Sequence, residues 1–210
     1  MCEKRRQILV ATTNPGKIAE LRALLGGDVQ WLALADVRQM DEIAEDGTTF
    51  AANARKKALG YARAAGLWTI ADDSGLVVDA LGGAPGVKSA RFSGEKLADD
   101  QRTLIDHRNI AKVLELLEGV PENERTARFV CCLCLASPEN VLIETEGTLE
   151  GLITNEEIGK NGFGYDPILF VPGLDKTVAQ LTSKQKNAIS HRGNAIRRFR
   201  PLLDELLRNG

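Results

Sequence analysis

The chain has 210 residues, of which 43% are hydrophobic, enough to bury one good-sized core, and single domains commonly run to this length. Lysine and arginine together number 27 against 29 acidic residues, and the net charge of -2 gives no broad electrostatic reason to expect a nucleic acid partner. Any phosphate chemistry must therefore be local. No stretch approaches the roughly 18 apolar residues of a membrane span, and the apolar run at 8–11 is far shorter than a signal-peptide core, so neither a membrane partner nor a leader is expected.

Residues 8–12 read as a buried strand, Asn14-Pro15-Gly16 as a turn, and Ile18, Leu21, Leu24 and Leu25 recur at helical spacing. A second, alanine-rich helix starts at Thr48 or Thr49 and runs towards Ala65, where Gly66 stops it. Residues 68–71 form a short strand that ends at Asp72-Asp73-Ser74-Gly75. From Leu81 to Gly94 the chain is loop-like, broken by Gly82, Gly83, Pro85, Gly86 and Gly94, and a long helix follows from about Asp99 to Leu117.

Residues 128–136 and 141–148 read as two strands joined by Ser137-Pro138-Glu139-Asn140, an antiparallel hairpin that makes the sheet mixed. A short strand is expected at 168–171. The segment 183–207 is largely helical, with Pro201 kinking or interrupting it. The fold class is α/β, in one domain over residues 1–210. Cys131, Cys132 and Cys134 lie inside an apolar run and Cys2 is remote, which gives neither a disulfide framework nor zinc-ligand spacing and suits a reducing cytoplasm.

Several segments carry chemistry. Asp72 and Asp73 stand where a strand gives way to a loop, a common ligand-facing position in α/β sheets. Neighbouring strand residues face opposite ways, so the two acids should not share one job: one could bind a divalent ion or polarise water while the other orients backbone or a lysine. Asp-Asp-Ser-Gly is also good turn chemistry. Glu45 and Asp46 add carboxylates in a glycine-containing loop, hard ligands that suit Mg²⁺, though such a loop can simply be solvated.

Thr12, Thr13, Asn14, Pro15, Gly16 and Lys17 offer hydroxyls, an amide and an ammonium at a strand-to-helix loop, with the helix N-terminus supplying free N–H donors to an anion. The spacing is not that of a Walker A loop, and the plainer reading is an Asn-Pro-Gly turn with a surface lysine. Asn161-Gly162-Phe163-Gly164-Tyr165-Asp166-Pro167 combines glycines, two aromatics and an acid, the ingredients for stacking a ring, or else core aromatics at a strand start. Lys186, His191 and Arg192 cluster near a helix start, and the planar fork of Arg192 suits phosphate or base oxygens. That the chain has only His107 besides His191, with no serine or cysteine nucleophile pattern, argues against a Ser-His-Asp or Cys-His hydrolase.

Taken together the chain resembles the inosine triphosphate pyrophosphatase family, which removes deaminated purine nucleotides. The resemblance rests on T-x-N-x-x-K at 12–17, E-D-G-x-T-F at 45–50, N-A-x-x-K-A at 53–58, A-D-D-S-G-L at 71–76, L-G-G-x-P-G-V-x-S-A-R at 81–91, G-F-G-Y-D-P at 162–167 and K-x-A-I-S-H-R at 186–192. Asn161 stands where many relatives have a small residue, and residues 1–6 belong to no motif.

The resemblance implies an elongated two-lobed fold with a central mixed sheet flanked by helices, the active site in the cleft between lobes, a homodimer, and cleavage of ITP, dITP and XTP or dXTP to the monophosphate and pyrophosphate with Mg²⁺. It implies that residues 12–17 hold the triphosphate with Lys57 assisting, and that Glu45 and Asp73 bind Mg²⁺. Asp73 would accept the proton from water with Asp72 in support, and Ser74 would contact substrate. Phe163, Gly164, Tyr165 and Asp166 would form the base pocket with Lys186, His191 and Arg192. Donors such as Arg192, His191 or backbone N–H groups would favour a 6-oxo purine over adenine. Alternatives are a same-fold pyrophosphatase for other modified nucleotides and a non-catalytic nucleotide-binding module; the joint presence of Lys17, Glu45, Lys57, Asp72 and Asp73 speaks against the second.

Overall fold

Strand β1 (Arg6–Val10) carries Ile8, Leu9 and Val10 with almost no exposure. It pairs in parallel with β2 (Val29–Ala33) on one side and with β3 (Trp68–Val78) on the other. A strand flanked in parallel on both edges is covered on both faces, which is why its sequence is a continuous apolar run with no alternation. The computed structural model describes residues 5–25, 29–94 and 101–209. Further along are β4 (Thr126–Ala136), β5 (Val141–Ile153), β6 (Leu169–Val171) and β7 (Lys176–Thr177), in a seven-stranded sheet of order β2-β1-β3-β4-β5-β6-β7. β6 pairs antiparallel with β5 and with β7, so the sheet is mixed, as expected from the hairpin.

The chain divides into two compact units: Met1–Asp73 with Cys131–Gly147 and Arg192–Gly210, and Ser74–Val130 with Thr148–His191. In the first, Ile8, Val10, Ile70, Cys131, Leu133 and Leu135 from the sheet pack with Leu21 and Leu25 of α1 (Pro15–Leu25) and Ile196, Phe199 and Leu203 of α5 (His191–Asn209). Helix α2 (Phe50–Ala65) buries Asn53, Ala54, Lys57, Ala58, Tyr61 and Ala62, one stripe at helical spacing. It is capped by Thr49, whose side chain accepts the amide of Ala52, and ends at Gly66. In the second unit, Leu76, Val78, Phe129, Leu149 and Ile153 pack with Ile110, Val113 and Leu117 at α3 (Arg102–Leu116) and with Tyr165 and Ile168. Each such side chain fully buried contributes about 1.5–3 kcal/mol.

Three expectations change. β3 does not end at Ala71 but runs on to Val78, so Asp72, Asp73, Ser74 and Gly75 lie inside a strand. Their turn propensity is overridden because the two carboxylates find partners on other elements. Gly75 is there for close approach: a Cβ would come within 2.2 Å of Ser89 Oγ and 2.8 Å of the Gly86 carbonyl oxygen. β5 extends five residues past the expected end at 148, where its last two residues, Leu152 and Ile153, pair with β6. The C-terminal segment breaks not at Pro201 but at Ser190, between α4 (Ser183–Ile189) and α5, and α5 continues through Pro201 to Asn209. The expected start of the long helix near Asp99, like Cys2, lies outside the described residues.

Replacing Gly75 with alanine should lower stability by about 1–3 kcal/mol through overpacking, read as a fall in the thermal midpoint; an unchanged midpoint would show that Ser89 moves aside freely.

Candidate active site

Helix α1 follows β1 after the segment 11–14, with Pro15 at its first position. Asn14 caps it: its side-chain oxygen accepts the amides of Gly16 at 2.9 Å and Lys17 at 3.3 Å, while Thr12 Oγ1 accepts the Asn14 amide at 3.2 Å. Two of the donors expected to be free for an anion are thus already taken, which corrects the reading of this helix start as an open set of amides. Thr13 and Pro15 are exposed. Lys17 points back to the sheet, its Nζ 3.0 Å from Asp72 Oδ2.

Asp72 is buried among cations. Oδ2 lies 2.8 Å from Arg192 Nη2 as well as against Lys17, and the Asp72 carbonyl accepts from Lys57 Nζ at 2.9 Å. Arg192 is fully buried and reaches Glu20 of α1 with its other amino group. Burial works to raise the Asp72 pKa, but the charges of Lys17, Arg192 and Lys57 outweigh it and hold the carboxyl far below its ordinary value. This acid stays ionised.

Asp73, one residue on, lives differently. Its Oδ2 accepts from Asn53 Nδ2 at 2.9 Å. Burial raises its pKa above the usual carboxylate value, and the nearby charge of Glu45 adds to that, against the Asn53 hydrogen bond and the charges of Lys17 and Lys57. The alternation of a strand has given the two acids separate partners, as the sequence implied.

The loop carrying Glu45 is tied to α2. The Gly47 amide donates to Asn53 Oδ1 at 2.7 Å, Lys57 Nζ sits 2.5 Å from Glu45 Oε1, and Lys56 Nζ 2.6 Å from Asp46 Oδ1. Asn53 and Lys57 are four apart, so they share one helix face and meet Asp73 and Glu45 together. Among the described residues no three His, Cys, Asp or Glu side chains gather as metal ligands. Mg²⁺ needs no such cage, since it takes one or two carboxylates and completes its shell with water and substrate phosphates. Glu45 and Asp73 lie within each other's field, with Lys57 paired to Glu45 and the charges of Lys17 and Lys57 acting on Asp73, so two carboxylates stand together as hard oxygen donors. A divalent cation fits that donor set.

In the second unit Asp166 is buried, accepting from the Phe163 amide at 2.9 Å and from Lys186 Nζ at 2.6 Å, both on Oδ2. Gly162 turns at φ 81°, and a Cβ there would come 1.9 Å from Asp166 Oδ2, so only glycine lets the carboxylate in. Lys186 Nζ stands 4.4 Å from the Phe163 ring centroid. Tyr165 is a core residue whose hydroxyl donates to the Ser89 carbonyl at 2.8 Å, so of the two readings of this aromatic the packing one holds. His191 is buried with its ring centroid 4.9 Å from that of Phe129, and Ser74 is half-buried.

The predicted residues therefore form two groups: Lys17, Glu45, Lys57, Asp72, Asp73 and Arg192 in the first unit, and Phe163, Asp166, Lys186 and His191 in the second. Arg192, expected beside the base loop, has its guanidinium on Asp72 and Glu20. Sequence reasoning gave no role to Asn53, Glu20 or Ser89. The four-residue step from Asn53 to Lys57 was a usable signal; a glutamate on the apolar side of α1 was a weaker one.

Removing the Arg192 charge by methionine should cost about 3–5 kcal/mol in urea unfolding, because Asp72 is left buried with less compensation. The Asp72 pKa is lower folded than unfolded, so its contribution is complete above the ordinary aspartate range and drains as pH falls through the folded value. The variant should accordingly unfold at a higher pH than the parent in an acid titration without divalent cations.

A model of the Ham1 family matches residues 8–202. The chain is 46% identical over 202 residues to a dITP/XTP pyrophosphatase of Bacillus subtilis, covering 95% of this chain and 98% of the relative. It is also 46% identical over 201 residues to a dITP/XTP pyrophosphatase of Desulforamulus reducens, covering 95% and 96%. Among solved structures it is similar to the Staphylococcus aureus Ham1 protein, with a TM-score of 0.83, 39% identity and coverage of 95% of this chain and 99% of that one.

Proposed function

The chain belongs to the Ham1 family, and on that premise we propose that it hydrolyses non-standard purine nucleoside triphosphates, dITP, ITP and XTP or dXTP, to the nucleoside monophosphate and pyrophosphate. The observation that carries this reading is a pair of adjacent buried aspartates with different partners: Asp72 Oδ2 lies 3.0 Å from Lys17 Nζ and 2.8 Å from Arg192 Nη2, whereas Asp73 Oδ2 accepts from the neutral Asn53 amide at 2.9 Å. Pairs of acids partnered differently in this way suit one to a fixed charge and the other to proton transfer.

In the proposed reaction a water oxygen forms a bond to the α-phosphorus while the bond from that phosphorus to the bridging oxygen breaks and pyrophosphate leaves. Asp73 takes the water proton on its carboxylate, with Asn53 fixing the orientation of that carboxylate. Lys17 and Lys57 face the negative charge of the phosphates, with Thr12, Thr13, Asn14, Pro15 and Gly16 as the wall beside them. Asp72 keeps Lys17 and Arg192 in place. Glu45 and Asp73 would hold Mg²⁺, which when bound neutralises phosphate charge and makes water more acidic. The Phe163, Gly164 and Asp166 loop with Lys186 and His191 receives the purine, and Ser74 contacts substrate. The family resemblance further supports a homodimer and a cytoplasmic location, with which the free thiols of Cys131, Cys132 and Cys134 agree.

Pyrophosphate release from ITP, dITP and XTP should exceed that from ATP and dUTP with Mg²⁺ present; a preference for pyrimidines would overturn the substrate assignment. Asp73→Asn should lower kcat about a hundredfold or more while nucleotide binding persists, and normal turnover by that variant would remove Asp73 from the mechanism.

A further inference from the structure

Two successive amides in the aromatic loop are captured by two different carboxylates. Phe163 donates to Asp166, three residues on, which is local turn chemistry. Gly164 donates at 2.8 Å to Oδ2 of Asp106, a residue 58 positions away on α3. Burial pushes the Asp106 carboxyl above its usual range, against the Gly164 amide and the charges of Arg102 and His107. An acid kept there is kept against a desolvation cost that a surface acid does not bear.

The helix that supplies Asp106 has a second hold on the same loop. Asn109 lies three residues further, on the same face of α3. Its Oδ1 accepts the Ser93 amide at 2.7 Å, and its Nδ2 donates at 3.3 Å to the Ser89 carbonyl, which also receives the Tyr165 hydroxyl at 2.8 Å. Gly164 is thus held directly by α3 and Tyr165 through Ser89. Phe163, the residue between the Asp166 and Asp106 contacts, carries the ring that faces the Lys186 ammonium.

We propose that Asp106 is a positioning residue for substrate selection: by holding the Gly164 amide it fixes the backbone that places the Phe163 ring against Lys186 to receive the purine. The proposal rests on the functional reading above. It also assigns the amides of Phe163 and Gly164 to the frame of the loop, where each is already held by a carboxylate.

The test compares the parent chain with Asp106→Ala and Asp106→Asn, the second of which retains an acceptor oxygen. Alanine should raise KM for ITP about tenfold with kcat within about twofold, and should speed amide hydrogen exchange at 163–165. Asparagine should restore both to within about twofold. Inhibition by inorganic tripolyphosphate, which has no base, should be equal in all three. An unchanged KM for ITP in the alanine variant, or equal weakening of ITP and tripolyphosphate, overturns the proposal. Failure of the parent chain to release pyrophosphate from ITP would instead sink the functional reading, and hydrogen exchange would still decide whether Asp106 holds the loop.

Discussion

The first unit is organised around one buried charge. Asp72 sits in the middle of a sheet strand where an uncompensated carboxylate would be untenable, and three cations from three helices answer it: Lys17 from α1, Lys57 from α2 and Arg192 from α5. Lys17 and Arg192 arrive on helices whose apolar faces dock on the same core, and Lys57 lies on the buried stripe of α2, so packing and electrostatics constrain the same geometry. Ion pairs of this kind add little net stability over an apolar replacement. What they do is specify an arrangement, because displacing any one helix strands a charge in a medium that cannot solvate it. Arg192 shows the cost being met twice, with Glu20 on one side and Asp72 on the other.

That arrangement leaves Asp73 in a different position from its neighbour. Its partner is a neutral amide, and its field includes a second acid. A single residue step along a strand thus separates a carboxylate that does not change state from one whose proton affinity is raised. The loop from Glu45 to Gly47 is fastened by side chains of the helix that follows it, so Glu45 is presented from a prepared backbone.

Much of this was legible in the sequence, and the parts that were not share a cause. The apolar run of β1, the cap at Thr49, the stop at Gly66 and the turn at 137–140 are local signals, and they fall where expected. The motifs around Lys17, Glu45, Asp72 and Asp73 named the residues that now stand together. Local rules failed where a distant partner decided the outcome. Asp-Asp-Ser-Gly is turn-forming in isolation, yet stays extended because Lys17, Arg192 and Asn53 satisfy its acids. Asn14 reads as a ligand residue beside open amides until its oxygen is found capping them. Pro201 reads as a breaker, and the helix continues through it on an exposed face. Asp106 carried no motif, since its meaning lies in a contact 58 residues away.

The three thiols of β4 have a chemical consequence of their own. Cys131 and Cys134 are buried, and desolvation pushes both up to about 12; Cys132 is shifted upward too, by burial and by the carboxylate of Glu146. Because the thiolate is the reactive form, sulfur held neutral and out of solvent is a poor target for alkylating agents and peroxide. A strand that supplies the middle of the sheet can therefore be rich in sulfur without becoming a redox liability, and the folded protein should meet electrophiles as though it had almost no cysteine in that strand.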